Sequence, residues 1–121
     1  VVPKMILVAP PRAGGSIATR SFIPHECHAS IGVFAAVTVG TACILKGSPA
    51  QQVAQLQDGM IKTISVEHPT GEFSVRLVLE GDADHPQVAS AGLLRTARKL
   101  FDGQIFPRWD VAEEIHHDRK G

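Results

Sequence analysis

Histidine, cysteine and carboxylate side chains are concentrated in one short stretch, residues 24–32, with the sequence PHECHASIG. A long apolar run follows it, and the first turn of a helix there would offer free backbone N–H groups and a positive dipole end. Such a helix start attracts carboxylates and phosphates. His25 and His28 could add donors or exchange protons near neutral pH. The stretch predicts an anion site, the alternative being that His25 and Ser30 only cap the helix.

The two cysteines are expected to differ. Near a helix N-terminus the thiol of Cys27 would have a lowered pKa and could act as a nucleophile or base, or it is a small residue without chemical consequence. Cys43 lies deep in the apolar run and is expected to be inert. A zinc site would use His25, Cys27 and His28, with His68 as a fourth ligand, but the paired spacing of structural zinc sites is incomplete. We therefore expect no metal.

Arg20 precedes this stretch on a predicted strand. If the strand runs beside the helix start, its guanidinium could bind a carboxylate through two parallel hydrogen bonds. The alternative is an ordinary surface arginine.

The elements that must position these residues follow from the apolar patterns. Strands are predicted over residues 4–9, 17–23, 61–66 and 73–79, with a further short strand over residues 104–106. The strands over residues 61–66 and 73–79 should form an antiparallel hairpin with a loop of about four to six residues. The segment 81–86 is expected to be an acidic loop.

Two helices are predicted. Residues 28–45 are apolar almost throughout, which is typical of a helix buried in a core or crossing a membrane. The run barely reaches the roughly 18 residues of a span, and Gly, Thr and Ser interrupt it, so a buried central helix is favoured. Over residues 88–101 an apolar stripe at helical spacing predicts a second helix, ending before Gly103. The stripe consists of Leu93, Leu94, Ala97, Leu100 and Phe101.

Composition limits the function further. A chain of 121 residues is one domain, and its 12 basic and 12 acidic residues balance to zero net charge. Nucleic-acid binding, which needs a basic surface, is not expected. Apolar residues make up 44%, which argues against disorder. With two cysteines and no signal peptide, a cytoplasmic setting is expected.

Several of these stretches together resemble the C-terminal part of the PrpF family of tautomerases and isomerases. The resemblance covers most of residues 4–108, and its more specific pieces are EHPTG at 67–71 and RTARKLFDG at 95–103. It implies an α+β fold in which a mostly antiparallel sheet wraps around a central apolar helix. That arrangement is one half of a diaminopimelate epimerase-like fold. Residues 1–108 would form this domain, with a polar tail over 109–121.

The resemblance also implies a chemistry. Such enzymes shift a proton and a double bond in an unsaturated di- or tricarboxylate, without metal or organic cofactor. The positions that correspond to substrate-binding positions of the family are Arg20, His25, Ser30, Ile31 and Gly32, and His28 at the helix start completes the predicted substrate-binding set. Ile31 stands where a threonine is more usual, and Ala29 stands near the cysteine of the epimerases.

Length is the main departure from the family. Its members are roughly three times as long, and their catalytic lysine and cysteine lie in the N-terminal half, for which no equivalent is found here. We expect a fragment that is inactive alone and that pairs with the missing half. The alternative is a non-catalytic module that binds a second copy of itself or another partner, and neither nucleic acid nor membrane is expected as a partner.

Overall fold

The computed structural model describes residues 3–108, which form an α+β structure. The strands are β1 (Met5–Ala9), β2 (Ile17–Ile23), β3 (Glu26–Cys27), β4 (Ile61–His68), β5 (Gly71–Asp82) and β6 (His85–Leu94). The helices are α1 (Val33–Ile44) and α2 (Pro49–Val53). β1 and β2 therefore confirm the strands expected over residues 4–9 and 17–23. β4 and β5 confirm the next two and extend beyond them.

The strands form a single mixed sheet in the order β1-β2-β4-β5-β6, with the short β3 paired to β2. All neighbours run antiparallel except β2 and β4, which are parallel. Leu7 pairs with Arg20 across β1 and β2, and Ala18 pairs with Glu67 across β2 and β4. The expected α+β class with a mostly antiparallel sheet is confirmed.

Helix α1 is shorter and less buried than its composition suggests. It begins at Val33 rather than at His28. Its buried residues are Ala36, Val39, Gly40, Cys43 and Ile44, which form one stripe at helical spacing. This stripe packs on β4, β5 and β6, whereas Phe34 remains 88% exposed. The helix thus lies along one face of the described sheet and is not buried all round.

The prediction of a second helix over residues 88–101 is wrong. Residues up to Leu94 belong to β6, which pairs with β5, and residues 95–101 are irregular. A register shift between Val78 and Leu79 changes the alternation, so that Val88 opposite Leu79 and Leu93 opposite Val75 both pack against the core. The shift removes the period-2 pattern from the sequence. Pairing with β5 overrides the helical propensity of this segment.

Two loops are tighter than expected. The β4–β5 hairpin turns over residues 69–70 alone, because His68 already pairs with Gly71. Between β5 and β6 the turn occupies residues 83–84, so most of the expected acidic loop over 81–86 is strand. The short strand expected over residues 104–106 is absent from the described structure, where these residues are irregular.

The described part of the chain, residues 3–108, holds no helix with the length and hydropathy that a membrane crossing requires. The predicted tail over residues 109–121 lies outside the described residues. The domain boundary at residue 108 therefore stays a prediction.

Candidate functional site

The hairpin of β2 and β3 brings the histidine-rich stretch back towards the sheet. Cys27 pairs with Phe22, and the His28 N–H donates to the carbonyl oxygen of Ser21 at 2.7 Å. The exposed Cys27 therefore lies in a strand, and the helix N-terminus that was expected to activate its thiol begins only after Gly32. His25 lies exposed in the turn between the two strands.

Residues 28–32, called here the helix-start loop, connect β3 to α1. The Ser30 N–H donates to Nδ1 of His28 at 3.0 Å, which fixes the imidazole ring against the loop. The Thr70 hydroxyl donates to the carbonyl oxygen of Ala29 at 2.8 Å. Ile31 is 3% exposed and anchors the loop in the core. The β4–β5 turn and the helix-start loop, far apart in sequence, are thus held together.

The first turn of α1 is open to a ligand. Gly32 is the N-cap residue, and among residues 3–108 no side chain caps the helix there and no acidic residue stands in its first turn. A cavity of about 150 Å³ lies at this end. It is lined by Lys4, Ser21, Ile23, His28 and residues 32–35. This cavity favours an anion, because it is lined by the first turn of α1, by the imidazole of His28 and by Lys4.

The structure brings together only some of the predicted site residues. His28 and Gly32 line the helix-start cavity, while Ile31 can offer only its backbone because its side chain is buried. Ser30 lies in the same loop. Arg20 does not join them. Its neighbour Ser21 lines the cavity, and successive side chains of a strand point to opposite faces, so Arg20 lies on the other face of the sheet.

Sequence reasoning missed the most completely hydrogen-bonded carboxylate of the described residues, Glu67. Its side chain accepts from the backbone N–H groups of Arg12 at 2.8 Å, Ala13 at 2.7 Å and Gly15 at 2.8 Å. Glu67 is 7% exposed. The amide of Arg12 contributes most to holding the pKa of Glu67 below its usual value, and this outweighs the opposing effect of burial. We call this arrangement the Glu67 clasp and residues 12–15 the clasp loop.

The geometry does not assemble a metal site. Across residues 3–108 no three His, Cys, Asp or Glu side chains lie close enough together to hold a metal ion, and this range includes His25, Cys27, His28 and His68. Burial raises the pKa of the Cys43 thiol to about 11, so Cys43 is a neutral core residue at physiological pH.

Comparison with known families gives one decisive match. The family model described as PrpF protein matches residues 1–107. The chain belongs to the PrpF family. The match includes the helix-start loop, the Glu67 clasp and the whole sheet.

Individual PrpF proteins share much of this sequence. The (4E)-oxalomesaconate Delta-isomerase of Novosphingobium sp. (strain KA1) is 62% identical over 105 residues, which is 87% of this chain and 29% of that protein. The 4-oxalomesaconate tautomerase of Pseudomonas putida is 55% identical over 104 residues, 86% of this chain and 28% of that protein. A putative isomerase, YbhH, of Escherichia coli K12 is 33% identical over 106 residues, 88% of this chain and 29% of that protein. The chain therefore spans less than a third of the length of these relatives.

Proposed function

We propose that this chain is the carboxylate-binding part of a PrpF isomerase, acting on an unsaturated di- or tricarboxylate such as 4-oxalomesaconate. Two relatives named for oxalomesaconate are 62% and 55% identical to this chain over the aligned residues and support the substrate class. The observation that carries the binding role is the uncapped start of α1, with Lys4 and His28 beside it.

The site suits a carboxylate for electrostatic reasons. The first-turn N–H groups of α1 and the helix dipole stabilise negative charge at this end. Lys4 adds a positive charge. The Nδ1 atom of His28 is occupied by the Ser30 N–H, so Nε2 is the ring nitrogen left to face a ligand. A cavity of about 150 Å³ has room for a carboxylate group beside the first-turn N–H groups.

The proposed reaction is a 1,3-proton shift. A base removes a proton from one carbon, the negative charge spreads over a dienolate and its carboxylate, and the proton returns at the far end of the system while the double bond moves. Donors aimed at the carboxylate stabilise the charge that develops. We assign the base to the region of the longer PrpF proteins that has no counterpart in this chain. The described sheet and α1 would then be one half of a diaminopimelate epimerase-like fold.

An amide-resolved NMR titration of the 121-residue chain with 4-oxalomesaconate tests the binding role. We expect shifts at residues 32–35 and no isomerisation by the chain alone. Lys4→Gln and His28→Asn should each weaken binding by about tenfold, the loss of one charge-assisted contact. Asparagine keeps an acceptor for the Ser30 N–H and removes Nε2. Lys46→Gln is the matched control, because Lys46 follows the opposite end of the same helix. Unchanged amides over residues 28–35 would contradict the proposal.

A second candidate function follows from the apolar surface. Leu100, Phe101, Ile105 and Phe106 are between 66% and 89% exposed. Exposed apolar groups of this size are typical of surfaces that another chain covers. We propose a second copy of the chain as the occupant if the isomerase role fails. Sedimentation at several concentrations tests this, and a monomer at all of them would exclude it.

A further inference from the structure

The face of the sheet opposite α1 carries a second cavity. It has a volume of about 310 Å³ and lies over β1, β2 and the clasp loop. Two arginines, Arg12 and Arg20, line it together with the apolar side chains of Leu7, Ala9 and Ala18, and no acidic residue is in its lining. We call it the outer cavity.

Strand register and the Glu67 clasp explain why both arginines line the same cavity. Arg20 pairs with Leu7, so both side chains lie on the same face of the sheet. Arg12 begins the clasp loop, and its backbone N–H is bound by Glu67 at 2.8 Å. Glu67 in turn pairs with Ala18, two residues before Arg20 on β2. The backbone on both sides of the outer cavity is therefore fixed.

The guanidinium groups are available to a ligand. Within residues 3–108 neither arginine forms a salt bridge. Arg20 donates one N–H to the carbonyl oxygen of Thr19 at 2.8 Å, and a guanidinium carries further donors beyond that one. An adjoining cavity does contain Glu67 and Glu72, yet Glu67 is engaged by the clasp and Glu72 accepts from the Ser65 hydroxyl. Within residues 3–108 neither carboxylate forms a salt bridge with Arg12 or Arg20.

We propose that the outer cavity binds a small carboxylate with a short hydrocarbon chain, at a site separate from the start of α1. A guanidinium matches a carboxylate through two parallel N–H···O bonds. The apolar side chains of Leu7, Ala9 and Ala18 contact the hydrocarbon part, which an inorganic anion lacks. This site does not depend on the proposed isomerase function, because it lies on the opposite face of the sheet.

Titration of the 121-residue chain with glutarate, followed by amide NMR, tests this inference. Glutarate should shift amides of residues 18–20 and Arg12, and added salt should weaken the binding. Arg12→Gln and Arg20→Gln should each reduce affinity about tenfold. Arg76→Gln is the matched control, since Arg76 is an exposed arginine on β5 that does not line the cavity. The three variants and the unmodified chain are compared in the same titration.

Four results would overturn the inference. The first is unchanged affinity in both arginine variants. The second is an equal loss in Arg76→Gln, which would indicate general charge attraction. The third is binding of inorganic phosphate as tight as that of glutarate, because the apolar lining would then contribute nothing. The fourth is a set of glutarate-induced shifts confined to residues 28–35, which would leave the proposed function intact. Glutarate-induced shifts confined to residues 12–20 would support this inference, and the proposed function would still be decided by its own titration with 4-oxalomesaconate.

Discussion

The clasp loop and the first turn of α1 both present backbone amides to an anion, and they differ in what the chain itself supplies. At the clasp loop, three N–H groups point to the carboxylate of Glu67. At α1, Gly32 offers no side chain as a cap, and the described residues place no carboxylate in the first turn. One cluster of donors is filled from within the chain, and the other is left open.

This difference separates a structural role from a binding role. Backbone donors that are buried without a partner cost free energy, so a filled cluster stabilises the fold. The clasp joins residues more than 50 positions apart in sequence and fixes the loop before β2. An open cluster contributes less to stability and can accept a ligand's carboxylate instead. The open helix start is therefore the better candidate for function.

The largest effect is expected from removing the clasp carboxylate. Glu67→Ala leaves the three amides of the clasp loop without their acceptor, and hydrogen bonds to a charged group contribute more than neutral ones. We expect the free energy of unfolding to fall by about 3 kcal/mol, measured by urea denaturation. The control is Glu72→Ala, whose exposed carboxylate accepts only the Ser65 hydroxyl among the described contacts. Equal losses in both variants would contradict the distinct role of Glu67.

A smaller loss is expected when the clasp is crowded instead of emptied. A Cβ at Gly15 would lie 2.7 Å from Cγ of Glu67, closer than carbon atoms can pack. Gly15→Ala should therefore displace Glu67 and reduce the free energy of unfolding by about 2 kcal/mol. Gly92→Ala is the matched control, because a Cβ there meets nothing within 4 Å. Full stability of Gly15→Ala would show that the clasp loop moves freely.

The clasp also predicts a pH dependence. The pKa of Glu67 is lowered in the folded protein from its usual value of 4.5, chiefly by the Arg12 amide. The unfolded chain therefore binds the proton more readily. The stabilisation is fully present above pH 4.5 and is lost as pH falls through the lower folded value. Urea denaturation between neutral and acidic pH should show this loss, and Glu67→Gln should be flatter over the same range. An identical slope in the variant would assign the acid sensitivity to other groups.

Local patterns were enough to predict part of the fold. β1 is a short apolar stretch that ends before Pro10, and β2 is a stretch with a strand pattern between Gly15 and Pro24. The apolar run before Leu45 has the length of a helix. The failure at β6 has a specific cause. Val88 and Leu93 reach the core together only because of the register shift opposite Val78 and Leu79. No period-2 pattern records such a shift, while the spacing of the apolar residues fits a helix.

The candidate site shows the same limit. The sequence predicted an anion site at residues 24–32, and the structure places His28 and Gly32 at one cavity. The sequence pattern could not reveal that Lys4, more than 20 residues earlier in the chain, also lines that cavity. The sequence also could not reveal the clasp. Glu67 directly follows the predicted strand over residues 61–66, and nothing in its neighbours along the chain indicates a partner for its carboxylate. Its acceptors are satisfied by a loop far away in sequence, and only the tertiary structure brings the two together.

The smallest change in stability, and the sharpest contrast with the clasp, should come from closing the open helix start. Gly32 has φ −72° and ψ 159°, which any residue can adopt, and a Cβ there meets nothing within 4 Å. Gly32→Asp should therefore cap α1 as Glu67 caps the clasp loop. We expect the free energy of unfolding to rise by about 0.5 kcal/mol.

The same substitution should abolish carboxylate binding at α1, because the new carboxylate occupies the amides and repels the ligand. Gly32→Asn separates the two causes, since it caps without charge and should weaken binding less. Parallel urea denaturation and 4-oxalomesaconate titration measure both quantities in each variant. If Gly32→Asp stabilises the chain and still binds the ligand as the unmodified chain does, the carboxylate does not bind at the first turn of α1. The open amides would then be only an uncapped helix end.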